Sequence, residues 1–219
     1  MGYTQNETLR QTVILFTRYP QAGKVKTRLI KGLGPEGAAK LHSRLTKQVI
    51  SNLLPLVKND SVCLQVSYCG GSKEEIQTWL GSDLPLKRQQ GNDLGERMVR
   101  AFEQAWESGA KKVVLIGSDC PGIKPSIIEN GLQYLETHDL VLGPAADGGY
   151  YLIGLRADVQ QCRQYELLFQ NISWGTEEVL RQTVQQAEKA KLSFTLLPEL
   201  HDIDRPEDLA HLHYYTDPE

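Results

Sequence analysis

"KVVLIGSD", residues Lys112–Asp119, is the clearest strand signal in this 219-residue chain. Its core is a run of aliphatic residues and a glycine, mostly β-branched, as in a strand buried on both faces. A helix is predicted to begin at Pro125, with Ile128 and Leu132 on one face. A buried strand followed by a helix is the repeating unit of a parallel sheet.

The same alternation extends in both directions from this strand. Upstream, the pattern predicts strands at Thr12–Tyr19 and Ser61–Cys69, a helix from Pro35, and a helix from Asp93 to Gly109. Downstream, it predicts strands at 139–145, 149–155 and 193–200, a helix over 176–191, and a last helix from Pro206. We therefore predict a single α/β domain over residues 1–219, a mostly parallel twisted sheet with helices on both faces, and residues 1–11 as a candidate disordered tail.

The composition excludes several classes of protein. A net charge of -3 and a pI near 6.0 argue against a nucleic-acid-binding domain, which is usually basic. The four cysteines form no C-x-x-C pair, so neither a zinc fold nor a disulfide framework is indicated. No segment approaches the roughly 18 apolar residues of a membrane span, and the first ten residues lack the apolar core of a signal peptide. We expect a cytoplasmic protein with no nucleic-acid partner.

A basic loop, "FTRYPQAGKVKTRL" (Phe16–Leu29), follows the first predicted strand. Its basic side chains surround Gly23, and they are Arg18, Lys24, Lys26 and Arg28. Ligands of parallel α/β sheets bind beyond the carboxyl ends of the strands, which is where this loop lies. Lysine and arginine donate charge-assisted hydrogen bonds to phosphate, so the loop predicts a site for a di- or triphosphate. The alternative is an ordinary solvated loop.

Signals for nucleophilic catalysis are weak. Cys120 stands at a strand end, but no pairing base can be named for it, so a buried thiol is the favoured interpretation. The five histidines are scattered, and we interpret all of them as structural. The stretch "GLGPEG" at 32–37 matches a dinucleotide-binding pattern, but it lies a dozen residues past the strand and contains Pro35, so its glycines are assigned to the helix entry.

Two acidic loops are candidates for holding a metal ion. Asp119 in "IGSDCPG" ends the central strand, and magnesium prefers one or two protein carboxylates together with substrate phosphates. Asp204 in "HDIDRPEDL" follows the last predicted strand. It either contacts the same metal or caps the helix that begins at Pro206.

Two further stretches are open to two interpretations each. Asp147, Gly148 and Gly149 either let the backbone approach an acceptor closely or form a tight hairpin turn. In "GNDLGERM", Glu96 and Arg97 either reach a nucleotide or form an ordinary pair on a helix surface.

In their order, the stretches "FTRYPQAGKVKTRL", "GNDLGERM", "IGSDCPGI", "GPAADGGYYLIGL" and "DIDRPEDL" resemble the nucleotide-diphospho-sugar transferase superfamily with the GT-A fold. More narrowly they resemble its branch labelled glycosyltransferase A-like or radical-SAM/selenodomain-associated transferase 1. The resemblance implies nucleotide phosphates on the basic loop, Asp119 and Asp204 on a metal ion, and an acceptor beside Asp147. The chain departs from the pattern in having "T-R-Y-P-Q-A-G-K" in place of A-x-G-x-G-x-R, and one acid of a D-x-D.

We therefore expect a transferase that depends on Mg²⁺ or Mn²⁺ and moves a nucleotidyl group from a nucleoside triphosphate to a small phosphorylated or acidic acceptor. Asp119, Lys26 and Asp147 are the expected catalytic residues. Catalysis would consist mainly of positioning and charge neutralisation. The alternatives are a glycosyltransferase that uses a nucleotide sugar and a non-catalytic nucleotide-binding module.

Overall fold

A computed structural model describes residues 11–58, 62–162 and 164–214. The candidate disordered tail therefore lies outside the described residues, apart from Gln11. The strands are β1 (Gln11–Arg18), β2 (Cys63–Cys69), β3 (Leu86–Arg88), β4 (Lys112–Gly117), β5 (Leu140–Pro144), β6 (Tyr150–Arg156) and β7 (Phe194–Leu196). They form one seven-stranded sheet in the order β3-β2-β1-β4-β6-β5-β7.

The sheet is mostly parallel, as predicted. β1 lies parallel to β2 and β4, β2 to β3, and β5 to β7, whereas β6 runs antiparallel to β4 and β5. Because β6 is reversed, the turn between β5 and β6 lies at the same edge as the carboxyl ends of the other strands. The loops after β1, β4, β5 and β7 consequently meet along that edge.

The helices are α1 (Ile30–Lys58), α2 (Lys73–Leu80), α3 (Leu94–Glu107), α4 (Pro125–Tyr134) and α5 (Val179–Lys189). Short 3₁₀ helices cover Thr27–Leu29, Ala157–Cys162, Gln164–Phe169 and Pro206–Tyr214, so the last predicted helix is a 3₁₀ helix. The sequence interpretation missed α2, although Ser72 and Glu75 form the capping box that marks its start. In the described ranges, no helix combines the length and apolarity that a membrane crossing requires.

Helices cover both faces of the sheet, because successive side chains of each strand point to opposite faces. Val13 and Leu15 of β1 belong to the core that also contains Leu53 of α1 and Ile128 of α4. Ile14, between them in sequence, belongs to the second core, which is built on α3 and α5. Leu53 is 1% exposed, so truncating it to alanine would cost about 2–5 kcal/mol.

A kink divides α1 close to the predicted start of its helix. Gly34 has φ 69° and ψ 167°, a conformation outside the helical region that glycine adopts without a Cβ clash. Pro35 then occupies the first turn of the long segment, where its missing N–H costs nothing. The glycines of "GLGPEG" thus shape the helix entry, as the sequence interpretation proposed.

Candidate active site

Lys26 lies at the centre of the edge where the loops meet. Its Nζ is 2.8 Å from Asp119 Oδ1 and 3.5 Å from Asp204 Oδ1. The Lys26 side chain is only 2% exposed, whereas that of Asp119 is 45% exposed. The ammonium therefore lies below the carboxylate, which faces the open side of the site.

The local sequence explains how a lysine reaches this buried position. Val25 and Leu29 are buried on either side of it and anchor the loop. Lys26 itself has a left-handed backbone (φ 47°) just before the 3₁₀ helix Thr27–Leu29. Such a conformation is uncommon for a residue with a Cβ and is maintained by surrounding contacts. Here the two carboxylates supply those contacts.

Asp119 is kept in its ionised form. Burial alone would raise the pKa of Asp119, but the Lys26 ammonium and the nearby His42 outweigh it, so the pKa of this carboxyl lies well below its usual range. Although Lys26 Nζ and Asp119 Oδ1 are close, neither atom has a hydrogen bond of regular geometry. The contact is thus an ion pair held by proximity, and Asp119 Oδ1 keeps its capacity to accept a hydrogen bond.

Asp204 joins the same group from the far end of the chain. Arg28 Nη1 donates a 2.5 Å hydrogen bond to Asp204 Oδ2. The alternative interpretation, in which the Asp204 side chain caps the helix that begins at Pro206, is not observed, because this side chain contacts Arg28 instead. Asp208 takes that role, since its Oδ2 accepts the backbone N–H groups of Asp204 and Arg205 at 2.9 and 2.6 Å.

The four basic residues that the sequence assigned to phosphate binding separate into two pairs. Lys26 and Arg28 contact carboxylates, and we name them the inner pair. Arg18 and Lys24, the outer pair, are exposed, and Arg18 Nη1 reaches only the Lys24 carbonyl at 3.4 Å. Gly23 lies between the two ends of the loop with φ 78° and open space around its Cα, so a substituent there would meet backbone strain and no clash.

His42 is a site residue that the sequence interpretation missed. It is buried on α1, and its Nδ1 lies 3.6 Å from Asp119 Oδ1. Its Nε2 lies 2.9 Å from the carbonyl oxygen of Arg18. A polar residue on an otherwise apolar helix face, between Leu41 and Leu45, was the available signal.

The Asp147 loop is the hairpin turn between β5 and β6, and it also lines the site. Gly149 N donates to Asp147 Oδ1 at 2.8 Å, as in an Asx turn. Gly148 has φ 87°, and a Cβ there would collide with the backbone of Glu177. The two interpretations of this stretch are therefore compatible, because the turn places the Asp147 carboxylate at the edge of the cleft.

The cleft consists of two adjoining cavities of about 560 and 350 Å³. Four residues line both of them, namely Arg28, Asp147, Asp202 and Asp204. The smaller cavity is bordered by Asp119 and by the rings of Tyr150 and Trp174. These volumes are within the range of small-ligand sites.

Glu96 and Arg97 are not among the residues that line this cleft. The Glu96 carboxylate accepts the backbone N–H of Asn92 at 2.9 Å, and Arg97 Nε donates to the Gly91 carbonyl at 3.0 Å. Both side chains thus stabilise the turn before α3. The predicted cap of this helix, Asp93, accepts the N–H of Glu96 at 2.8 Å and is confirmed.

Two neighbours of the site have pKa values that are strongly raised. Burial, and then the carboxylate of Asp147, raise the pKa of Asp202 to about 6. Burial raises the pKa of the Cys120 thiol to about 12. Cys120 is 1% exposed and its Sγ donates to the His201 carbonyl at 3.3 Å, so this cysteine is a buried thiol as the sequence indicated.

The donor set fits a magnesium ion that arrives with phosphates. The described ranges contain no group of three or more His, Cys, Asp and Glu side chains arranged to hold a metal by themselves. Asp119 and Asp204 both line the cleft, and the Asp119 side chain is 45% exposed, although the Lys26 ammonium lies between the two carboxylates. The negative charge of substrate phosphates would offset that ammonium. One or two carboxylates completed by substrate phosphates is the usual magnesium environment.

Known proteins with the same fold include transferases of nucleotides. A structure from Desulfovibrio desulfuricans G20, assigned to the nucleotide-diphospho-sugar transferases, superposes with a TM-score of 0.82 at 31% identity, covering 95% of this chain and 99% of that chain. A nucleotidyl transferase from Methanothermobacter thermautotroptrophicus superposes with a TM-score of 0.65 at 14% identity, covering 94% and 97%. The latter likeness shows the fold alone.

A sequence relative and a family complete the comparison. The 2-phospho-L-lactate guanylyltransferase of Methanocaldococcus jannaschii is 24% identical over 197 residues, which are 86% of this chain and 76% of that protein. Residues 53–176, more than half of the chain, match the family described as "Uncharacterized protein conserved in bacteria (DUF2064)". The chain therefore belongs to this family and to the nucleotide-diphospho-sugar transferases, which confirms the resemblance found in its sequence.

Proposed function

We propose that the protein is a magnesium-dependent nucleotidyltransferase of the cytoplasm, which transfers a nucleotidyl group from a nucleoside triphosphate to a small phosphorylated or acidic acceptor. The observation that carries the proposal is the inner pair. Lys26 and Arg28 lie against two carboxylates, at 2.8 Å from Asp119 and 2.5 Å from Asp204, at the carboxyl edge of the sheet. Alternating charges in this position suit a triphosphate accompanied by a divalent cation.

In the proposed reaction, an acceptor oxygen attacks the α-phosphorus of the triphosphate. A new oxygen–phosphorus bond forms while the bond to the β-phosphate breaks, and pyrophosphate leaves with the electron pair. Arg28, which lines both cavities and whose side chain is half exposed, would neutralise the charge that develops on pyrophosphate. Lys26 would add its positive charge from below Asp119. A bound Mg²⁺, held by Asp119 and Asp204, would supply further charge neutralisation at the phosphates.

The remaining binding roles follow the loops. The outer pair, Arg18 and Lys24, would contact the triphosphate from the solvent side, with Gly23 giving the loop its turn. Glu96 and Arg97 would stabilise the turn before α3 without contacting the nucleotide. Asp147, Gly148 and Gly149 would face the acceptor at the cleft edge, where Asp147 lines both cavities.

The acceptor class is supported by the relative that is 24% identical, a 2-phospho-L-lactate guanylyltransferase. The guanidinium groups of Arg28 and Arg205 border the larger cavity, where they could contact an anionic acceptor. The same cavity is also bordered by several carboxylates, so the acceptor panel below includes one uncharged compound, glycerol.

The test is release of pyrophosphate from each of ATP, GTP, CTP and UTP, with Mg²⁺ or Mn²⁺, in the presence of single acceptors. The acceptors are 2-phospho-L-lactate, phosphoenolpyruvate, glucose 1-phosphate and glycerol. We expect one triphosphate to give metal-dependent release that requires an acceptor. As a control, Lys124→Ala, which changes an exposed lysine on the approach to α4, should release pyrophosphate at the wild-type rate.

Turnover of UDP-glucose or GDP-mannose, with no release of pyrophosphate from any triphosphate, would contradict the proposal and favour glycosyl transfer. Binding of nucleotide without any product would contradict it as well.

A further inference from the structure

His42 connects the two halves of the site, although the sequence interpretation treated it as structural. Its imidazole is 6% exposed and lies on the face of α1 that packs against the sheet. One ring nitrogen faces the acidic loop after β4, and the other faces the first residue of the basic loop after β1. Its side chain thus contacts both loops.

The chemistry of the Arg18 contact assigns one nitrogen. A backbone carbonyl only accepts, so the 2.9 Å contact requires Nε2 of His42 to carry the hydrogen and donate to the Arg18 oxygen. This bond fixes the backbone at the point where β1 ends and the basic loop begins. The hydroxyl of Thr17, the residue before Arg18 in β1, lies 3.4 Å from the same nitrogen.

The other nitrogen, Nδ1, lies 3.6 Å from Asp119 Oδ1, the atom that also faces Lys26. This distance is longer than a hydrogen bond, so the ring limits where the carboxylate can lie by packing beside it. Thr46 Oγ1 donates to the backbone carbonyl of His42 at 2.9 Å, which holds the helix backbone. The imidazole itself packs beside the Trp79 ring, with the ring centroids 6.2 Å apart and the ring planes at 31°. A buried ring with such support has little freedom to move. Asp119 consequently meets a fixed group beside its Oδ1.

We propose that His42 is a positioning residue, which sets the Asp119 carboxylate and the start of the basic loop in their mutual arrangement. The inference rests on the proposed nucleotidyl transfer for its kinetic consequences. His42 does not contact substrate; it acts through Asp119 on the metal side and through the Arg18 backbone on the phosphate side. Loss of a group that orients a metal-binding side chain typically costs 10–100-fold in metal affinity or activity.

Two conservative variants separate the two contacts. The amide of asparagine reaches about as far as ring Nδ1, and that of glutamine about as far as Nε2. In H42Q the Arg18 contact is kept and the Asp119 contact is lost. We expect kcat to fall about 10–100-fold and the metal concentration for half-maximal rate to rise similarly, with the nucleotide KM within about twofold.

In H42N the Asp119 contact is kept and the Arg18 contact is lost. We expect the nucleotide KM to rise while kcat and the metal requirement stay close to those of the wild type. The control is Thr46→Val, which removes the bond to the His42 carbonyl and lies away from Asp119. Thr46→Val should lower the melting temperature without changing one of kcat and KM while sparing the other.

The proposal is overturned if H42Q, H42N and Thr46→Val change kcat and KM together, in proportion to their melting temperatures. If the wild-type protein releases no pyrophosphate, the proposed function fails separately, and His42 is judged by calorimetry of Mn²⁺ and nucleotide binding. H42Q should then lose the Mn²⁺-dependent part of the nucleotide affinity, and H42N should keep it. Equal affinities in both variants, or no nucleotide binding by the wild type, would overturn the inference.

Discussion

The inner and outer pairs of the basic loop differ in structure although they look alike in sequence. Lys24 and Lys26 are two positions apart, yet Lys24 is exposed and Lys26 is 7% exposed and lies between two carboxylates. The difference coincides with a left-handed backbone at Lys26, which the contacts with the two carboxylates maintain. This run of positive charge therefore contains two kinds of residue. Lys26 and Arg28 form ion pairs with carboxylates, whereas Arg18 and Lys24 are exposed to solvent.

The strongest test of this contrast is Asp119→Asn. The change keeps the shape of the side chain but removes the charge that holds Lys26, and it removes the main candidate metal ligand. We expect kcat/KM for pyrophosphate release to fall about 10²–10³-fold, the loss seen when a preorganised charge-stabilising group is removed.

Asp119→Asn should also lower the melting temperature, since Lys26 keeps only the longer contact to Asp204. Full activity in this variant, measured at saturating Mg²⁺, would contradict the role of Asp119. The matched control is Asp158→Asn, an exposed aspartate in the 3₁₀ helix Ala157–Cys162.

A paired comparison of Lys26→Met and Lys24→Met sharpens the contrast directly. Loss of a hydrogen bond from a charged group costs about 1.5–3 kcal/mol, so Lys26→Met should lower kcat/KM about 10- to 150-fold. Lys24 is exposed and screened by salt, and its loss should cost at most about fivefold, less at high ionic strength. Equal losses in the two variants would remove the distinction between the pairs.

Lys26→Met has a second readout that does not depend on turnover. In the wild type, the Lys26 ammonium lies between Asp119 and Asp204, where a divalent cation would meet repulsion. We expect free Mn²⁺, measured by electron paramagnetic resonance without nucleotide, to bind the variant more tightly than the wild type. Unchanged binding would show that Lys26 does not compete with the metal.

Asp202→Asn addresses the acidic side of the cleft. The pKa of Asp202 is raised to about 6 from the ordinary 3.8, so the folded protein binds more protons than the unfolded chain between about pH 4 and 6. Its contribution to the free energy of unfolding therefore falls as the pH rises through that window. At pH 7.5 the variant should melt about 2–4 °C above the wild type, which corresponds to about 1 kcal/mol in the free energy of unfolding after allowance for solvent screening. At pH 4 the two proteins should melt at the same temperature. An increase in melting temperature that is the same at pH 4 and at pH 7.5 would show that it does not come from the raised pKa of Asp202.

The smallest effect is expected at Arg97. Its Nε donates to the Gly91 carbonyl, so Arg97→Ala should cost about 1 kcal/mol of stability and leave the nucleotide KM within about twofold. A larger rise in KM, in a variant that melts close to the wild type, would instead favour the original prediction that Arg97 contacts nucleotide.

Much of the fold was predictable because the strands are long and buried on both faces. The apolar run at Lys112–Gly117, the cap at Asp93 and the helix start at Pro125 all follow from local chemistry. β3 was not found, since three residues with two exposed side chains carry no pattern. The last helix differs in type, because a weakly amphipathic stretch gives little preference between α and 3₁₀ hydrogen bonding.

The site was only partly predictable for a different reason. Sequence position at strand ends indicated Lys26, Asp119 and Asp204 as members of one edge. It did not indicate which basic side chain pairs with which carboxylate. That pairing involves an unusual backbone angle at Lys26 and a contact between Arg28 and Asp204, which are 176 positions apart in the sequence. His42 was dismissed because a histidine on a helix face is most often structural, and only its distance to Asp119 distinguishes it.

The segment after β7 has a consequence for how the protein is made. Ile203 N donates to the Asp119 carbonyl at 3.0 Å, and Ala146 N donates to the Leu200 carbonyl at 3.0 Å, so this late segment is laced onto two earlier loops. Synthesis proceeds from the amino end, and Lys26 and Asp119 emerge from the ribosome long before Asp204 does. A nascent chain can assemble most of the sheet and still lack one wall of the cleft. Nucleotide binding at the complete cleft would thus begin only after the segment through Asp204 has been synthesised and has bonded to those two loops.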